Sequence, residues 1–83
     1  METFYVYIIF SRVIDKFYIG YTSDIHKRLE EHNSGVSTFT SKARDWEIKY
    51  FEFFPSRQAA LKREQEIKSK KSRKYIEWLI QKI

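Results

Sequence analysis

Six side chains in this sequence offer more chemistry than a small apolar core requires: Tyr5, Tyr7, Tyr18, Arg28, His32 and Glu64. Brought together, they could grip an anion, move a proton and hold a hard cation. Glu64 has Ala60, Leu61, Ile67 and Lys68 at i−4, i−3, i+3 and i+4, so on a helix its carboxylate falls on the side that faces the protein. A buried, unpaired carboxylate is costly. Glu64 must therefore meet a basic group, reach the edge of a cleft or bind a metal; an i,i+4 pair with Lys68 on a solvated face is the plainer alternative. Arg28 and His32 stand four apart and adjoin Ile25 and Leu29, which puts them along the boundary between a helix and whatever it covers. Read plainly, Arg28 pairs with Glu30 or Glu31, and His32 is a helix C-terminal residue favoured by the dipole. If residues 3–10 alternate, Tyr5 and Tyr7 share a face, and a short connection brings Tyr18 alongside.

A stretch of different character, "IKSKKSRK" at 67–74, gathers Lys68, Lys70, Lys71, Arg73 and Lys74. It is either a solvated connection or a grip on a phosphate backbone. Net charge +5 with a pI near 9.5 favours a polyanionic partner, because clustered Lys and Arg displace counterions from phosphates. Several other chemistries are absent. There is no cysteine, so no disulfide or thiolate zinc site; His26 and His32 lie six apart; no glycine-rich phosphate loop and no Ser-His-Asp order is present. The start, "METFYVYIIF", carries Glu2 where a signal peptide needs positive charge, and its apolar run stops at Ser11 and Arg12, so a cytoplasmic protein without a membrane anchor is expected.

These side chains need elements to position them. At 83 residues the chain is expected to form one domain over 1–83, near the size at which folding buries only about 60% of the unfolded surface. "TFYVYIIF" (3–10) and "KFYIGYT" (16–22) read as strands joined by the short polar "SRVID", a hairpin. Ser23 or Thr22 can cap a helix over about 24–34, with Asp24 in its first turn and Gly35 as its stop. Residues 36–45 read as a polar loop and 46–54 as a third strand. Pro55 and Ser56 then end the strand and cap a helix over about 57–70, and a last helix over about 72–82 sets Ile76, Leu79, Ile80 and Ile83 on one face. The order ββαβαα predicts an α+β fold, a small three-stranded, mostly antiparallel sheet flanked by helices.

Four ordered blocks, "YVY" at 5–7, "YIG" at 18–20, "RLEEHNSG" at 28–35 and "ALKREQEIK" at 60–68, resemble the GIY-YIG nuclease family and in particular its small stand-alone bacterial members. The resemblance covers nearly the whole chain. It implies that Tyr7 and Tyr18 are the two motif tyrosines, Arg28 the phosphate-contacting arginine, His32 the histidine that positions a tyrosine, and Glu64 the single carboxylate that holds a divalent metal, Mg²⁺ or Mn²⁺. Gly20 is then the motif glycine, expected to allow a close turn from strand to helix. Tyr5 replaces the first motif's glycine, and the asparagine that larger members carry after the glutamate has no counterpart, since the only Asn is Asn33.

The implied activity is metal-dependent endonucleolytic hydrolysis of DNA, branched or damaged forms included, in repair or recombination, leaving 3′-hydroxyl and 5′-phosphate ends. A tyrosine with an ordinary pKa of about 10 is a poor base at neutral pH, so Tyr7 needs a nearby cation, the metal or a hydrogen bond to His32. Two alternatives stand beside this: a nucleic-acid-binding module that does not cut, and a subunit active only with a targeting protein partner. With about five phosphates contacted, log K would fall by roughly 4.5 per tenfold rise in salt.

Overall fold

The structure is a computed structural model that describes residues 3–35 and 40–81. Residues 36–39 of the expected loop, and Ile83 of the expected last-helix face, lie outside the described residues. The elements run β1 (Phe4–Ser11), β2 (Lys16–Thr22), α1 (Ile25–Ser34), a 3₁₀ turn (Thr40–Lys42), β3 (Glu47–Phe54), α2 (Arg57–Ser69) and α3 (Arg73–Gln81). The sheet has the order β2-β1-β3 and is antiparallel throughout, so the α+β reading holds. Among the described residues no helix is long and apolar enough to cross a membrane.

The near-continuous apolar run of β1 follows from its central place, because a strand covered on both faces must be apolar on both. One face carries Tyr7 and Ile9, packed with Ala43, Trp46 and the Ile25 and Leu29 stripe of α1. The other carries Phe4, Val6 and Ile8 with Ile19, against Ala60 and Ile67 of α2 and Leu79 of α3. Tyr50 joins that second face while Ile48 lies on the first, and a bulge makes this possible: Ile8 pairs with Tyr50 and Ile9 with Ile48, leaving Lys49 as the extra residue. Trp46 is core, at 2% exposure, whereas Phe51 and Phe53 stay exposed.

The helix starts are chemically defined. Ser56 caps α2 as expected, its hydroxyl accepting from Ala59 N. The cap of α1 is Asp24 rather than Ser23 or Thr22: its carboxylate accepts from Lys27 N at 3.1 Å. Thr22 still belongs to β2, and its hydroxyl accepts from Asp24 N, so the helix begins later than the hydroxyl-bearing residues suggested. Gly35 ends α1 at φ 85°, a left-handed position where glycine carries no steric cost. Gly20, in contrast, does not break β2, which runs on to Thr22.

Two polar contacts fix the elements relative to one another. Asp45 accepts from the Ser11 hydroxyl (2.6 Å) and from Arg12 N and Val13 N, tying the β1–β2 hairpin to the segment before β3. The Arg63 guanidinium donates to Glu52 of β3 (2.9 and 3.0 Å), and Glu52 also receives the Tyr50 hydroxyl. The residue just before Glu64 is thereby locked to the sheet.

Candidate active site

Tyr7 points from the central strand toward α1 and lies across Gly20, its register partner on β2. A Cβ on Gly20 would stand 2.5 Å from the Tyr7 hydroxyl and 2.8 Å from Tyr7 Cζ, distances that real Cβ atoms do not tolerate, and a tight 3.2 Å from the Tyr18 ring. Space for a phenol, not a turn into the helix, is what requires glycine here. Beyond Gly20 the Tyr7 hydroxyl meets His32 Nε2 at 2.8 Å, and His32 Nδ1 meets Thr40 Oγ1 at 2.7 Å. Tyr7 is 2% exposed and His32 and Thr40 fully buried. Thr40 is held in turn, since its carbonyl accepts from the Trp46 indole and the Asn33 side chain brackets the Trp46 backbone through N–H (2.7 Å) and C=O (3.1 Å).

Tyr18 presents its ring edge-to-face to His32, centroids 5.0 Å apart, and lies 6.5 Å from the Tyr7 ring. Arg28, one turn before His32 on α1, is oriented by Glu31 at 2.8 Å and sits beside the Tyr7 phenol. From the other face of the sheet, α2 brings Glu64, whose side chain is 11% exposed and whose Oε2 accepts from Lys68 Nζ at 3.3 Å. That ammonium also stands 5.9 Å from the centre of the Tyr18 ring. Tyr7, Tyr18, Arg28, His32 and Glu64 thus come together along the β2 edge, where α1 and α2 approach from opposite faces. A hollow of about 350 Å³ lined by Thr22, Ser23, Asp24, Lys27, Arg28 and Glu31 opens beside Arg28. A hollow of similar size near Ile48 and Phe51 is lined by Tyr5 but by none of Tyr7, Tyr18, Arg28, His32 and Glu64, so the side-chain cluster and not cavity volume singles out the site.

The side chains of the basic run make separate contacts. Lys68 turns to Glu64, Lys70 lies over the Tyr75 ring, and Arg73 is bound by Asp15 (2.8 Å) and Glu77 (3.2 Å) and stacks over Phe10 and Phe17. Lys70, Lys71 and Lys74 are exposed, and Lys71 takes φ 48° to turn the chain into α3. Arg73 is thus a strut between α3 and the hairpin, a role that no local pattern around it signals. Thr40 was hidden as well, in a stretch that read as a polar loop; an isolated hydroxyl without periodic neighbours carries no signal of burial.

Burial pulls His32 down to about 4, helped by the Arg28 guanidinium and opposed by Glu31, so the imidazole is neutral at pH 7. It is not the dipole-stabilised cation that its place near the helix end suggested. Burial also pushes the Tyr7 phenol well above the ordinary tyrosine range; Arg28 pulls it back, while Tyr18 and Glu64 add to the rise. The pair is a neutral phenol and a neutral imidazole, in which one ring nitrogen donates and the other accepts. Among the described residues there is no cluster of three or more His, Cys, Asp or Glu side chains, which excludes a zinc-type ligand cage there. A single carboxylate at a cleft edge fits a hard divalent cation that keeps most of its waters and takes an oxygen from its substrate.

Gly20→Ala is expected to lose about 1–3 kcal/mol of stability through overpacking against Tyr7. In urea unfolding the loss should shrink when Tyr7→Phe removes the hydroxyl; an equal loss in both backgrounds would show that the hydroxyl is not what the methyl meets. His32 supplies a pH dependence. Its folded pKa lies below the unfolded value, so its contribution is complete above pH 6.5 and is lost as pH falls toward 4, by about 3 kcal/mol in all. Unfolding measured across pH 4–7 should be correspondingly steeper for wild type than for His32→Gln, and parallel curves would contradict the buried neutral imidazole.

The chain matches the GIY-YIG catalytic domain over residues 3–76. A UPF0213 protein of Haloquadratum walsbyi is 42% identical over 66 residues, covering 78% of this chain and 73% of the relative. UPF0213 proteins of Staphylococcus saprophyticus and Staphylococcus aureus are 39% and 37% identical over 70 and 71 residues, in each case 83% of this chain and 84% of the relative. No solved structure matches it significantly. GIY-YIG domains are typically nuclease domains that bind DNA and generally use a divalent metal. The four motif blocks, the ββαβαα order and the match over residues 3–76 agree, and this chain belongs to the GIY-YIG catalytic domain family.

Proposed function

We propose that this protein is a metal-dependent endonuclease that hydrolyses phosphodiester bonds in DNA, with Tyr7, Tyr18, Arg28, His32 and Glu64 as its site. The observation that carries this is the meeting of Arg28 and Glu64 at one sheet edge beside a phenol hydrogen-bonded to a buried imidazole. A structural cluster would have no use for an arginine and a glutamate brought from opposite faces to the same tyrosine.

Hydrolysis needs an activated water, neutralised charge on the non-bridging oxygens and support for the departing 3′ oxygen. Arg28, held in direction by Glu31, clamps the phosphate with its planar fork. Tyr7 does not act as a preformed phenolate, since burial opposes that form. Its hydroxyl instead takes the water's proton as its own passes to His32 Nε2; this needs the tautomer in which Nδ1–H donates to Thr40 Oγ1. The relay avoids a bare phenolate by way of a transient imidazolium, which burial and Arg28 disfavour and Glu31 favours, so the proton passes through His32 and does not rest there. Tyr18 walls the imidazole and keeps its plane fixed. Glu64 would hold the divalent ion, Mg²⁺ or Mn²⁺, which when bound supplies positive charge at the leaving oxygen. The departing 3′ oxygen takes a proton from solvent, and the products are a 3′-hydroxyl and a 5′-phosphate. Lys70, Lys71 and Lys74, exposed after α2, extend the phosphate contact. Branched or damaged DNA in repair or recombination is the proposed substrate, in the cytoplasm, with a protein partner directing the choice of site.

The test compares wild type with Glu64→Gln on supercoiled plasmid and labelled branched DNA, with Mg²⁺, Mn²⁺ or EDTA. Metal-dependent nicking by wild type is expected, with Glu64→Gln folded and inactive. Nicking that survives the substitution in a contaminant-free preparation would defeat the assignment, and DNA binding without nicking by either protein would favour a module that does not cut.

A further inference from the structure

Lys68 belongs to the cluster geometrically, yet the mechanism above gives it no task. Its ammonium sits between two attractors, the Glu64 carboxylate at 3.3 Å and the face of the Tyr18 ring at 5.9 Å. Both are site residues. Glu64 is nearly buried while the Lys68 side chain is 50% exposed, so the acid is fixed and the base is free to swing away. An exposed ion pair with a cation–π contact holds the ammonium there only weakly.

We propose that Lys68 is the resident counter-cation of Glu64: it neutralises the carboxylate in the resting protein, and a divalent ion must displace it to bind. This rests on the reading of Glu64 as the metal carboxylate and adds a regulatory element to that site. The physical argument is competition for one acid. Two cations drawn to the same carboxylate repel each other, most strongly where the acid is withdrawn from solvent. Among the described residues Glu64 belongs to no group of three or more His, Cys, Asp or Glu side chains that could share the load. Metal affinity is therefore set partly by how readily Lys68 leaves, and the ammonium released into the cleft adds a positive charge for a DNA phosphate. Metal and DNA then favour each other's binding by the same factor, as linkage requires.

The experiment measures binding of Mn²⁺ alone, without nucleic acid, by the loss of the free-ion electron paramagnetic resonance signal. It uses wild type, Lys68→Met, Lys68→Arg and Glu64→Gln, each verified as folded by circular dichroism, with Lys68→Gln as a second neutral variant. Lys68→Met, which removes the charge and keeps the stem, should bind Mn²⁺ about tenfold more tightly than wild type, equivalent to about 1.4 kcal/mol. Lys68→Arg should stay within about twofold of wild type, and Glu64→Gln should lose the site. Equal or weaker binding by both neutral Lys68 variants, with Glu64→Gln still defective, would overturn the counter-cation role and leave the metal assignment standing. Binding indifferent to Glu64→Gln, or no binding by any of the proteins, would overturn both.

Discussion

The buried hydrogen bond between Tyr7 and His32 imposes the constraint from which the rest of the site follows. A phenol on the central strand can reach a helix beyond the neighbouring strand only if nothing stands on that strand's inner face. Gly20 provides the gap, and a single methyl group there would meet the Tyr7 hydroxyl at 2.5 Å. The imidazole at the far end must be neutral to be buried, and it needs a partner for its second nitrogen. Thr40 supplies that partner; its carbonyl accepts from the indole of the core residue Trp46, whose backbone Asn33 brackets. One polar bond in the core thus ties Thr40 to α1 and the central strand.

The second constraint is that two helices on opposite faces must deliver opposite charges to the same edge. The stripe of Ile25 and Leu29 seats α1 on one side and leaves Arg28 at the rim. On the other side Ala60 and Ile67 seat α2 with Glu64 between them, and the Arg63–Glu52 contact sets its rotation. A nearly buried acid is tolerable there because Lys68 is one turn away. On the proposed reading, the interaction that makes Glu64 stable in the fold is also one that a metal would have to overcome.

Much of this was legible in the sequence because it was local or periodic. The apolar run of β1, the Ser56 cap, the Gly35 stop and the inward side of Glu64 are each written within a few neighbouring residues. Arg28 and His32 could be placed on one helix side by spacing alone. What remained hidden depends on contacts between distant positions: Thr40 beneath His32, Asp45 against the hairpin, Arg73 drawn to Asp15 across 58 residues of chain. Gly20 illustrates the difference best. Its importance was readable, but its reason was not, because the phenol that needs the space comes from another strand and only the register brings the two together.

The central claim is that Tyr7 carries the proton from the attacking water. Its most direct test is the single-turnover cutting rate of Tyr7→Phe on end-labelled DNA under saturating metal. The substitution removes one oxygen and leaves the ring that fills the space over Gly20. The account predicts a fall of roughly 10²–10⁴-fold, the range of general acid–base catalysis, with folding retained. A Tyr7→Phe protein that cuts at the wild-type rate would contradict it and move the proton acceptor elsewhere in the cluster.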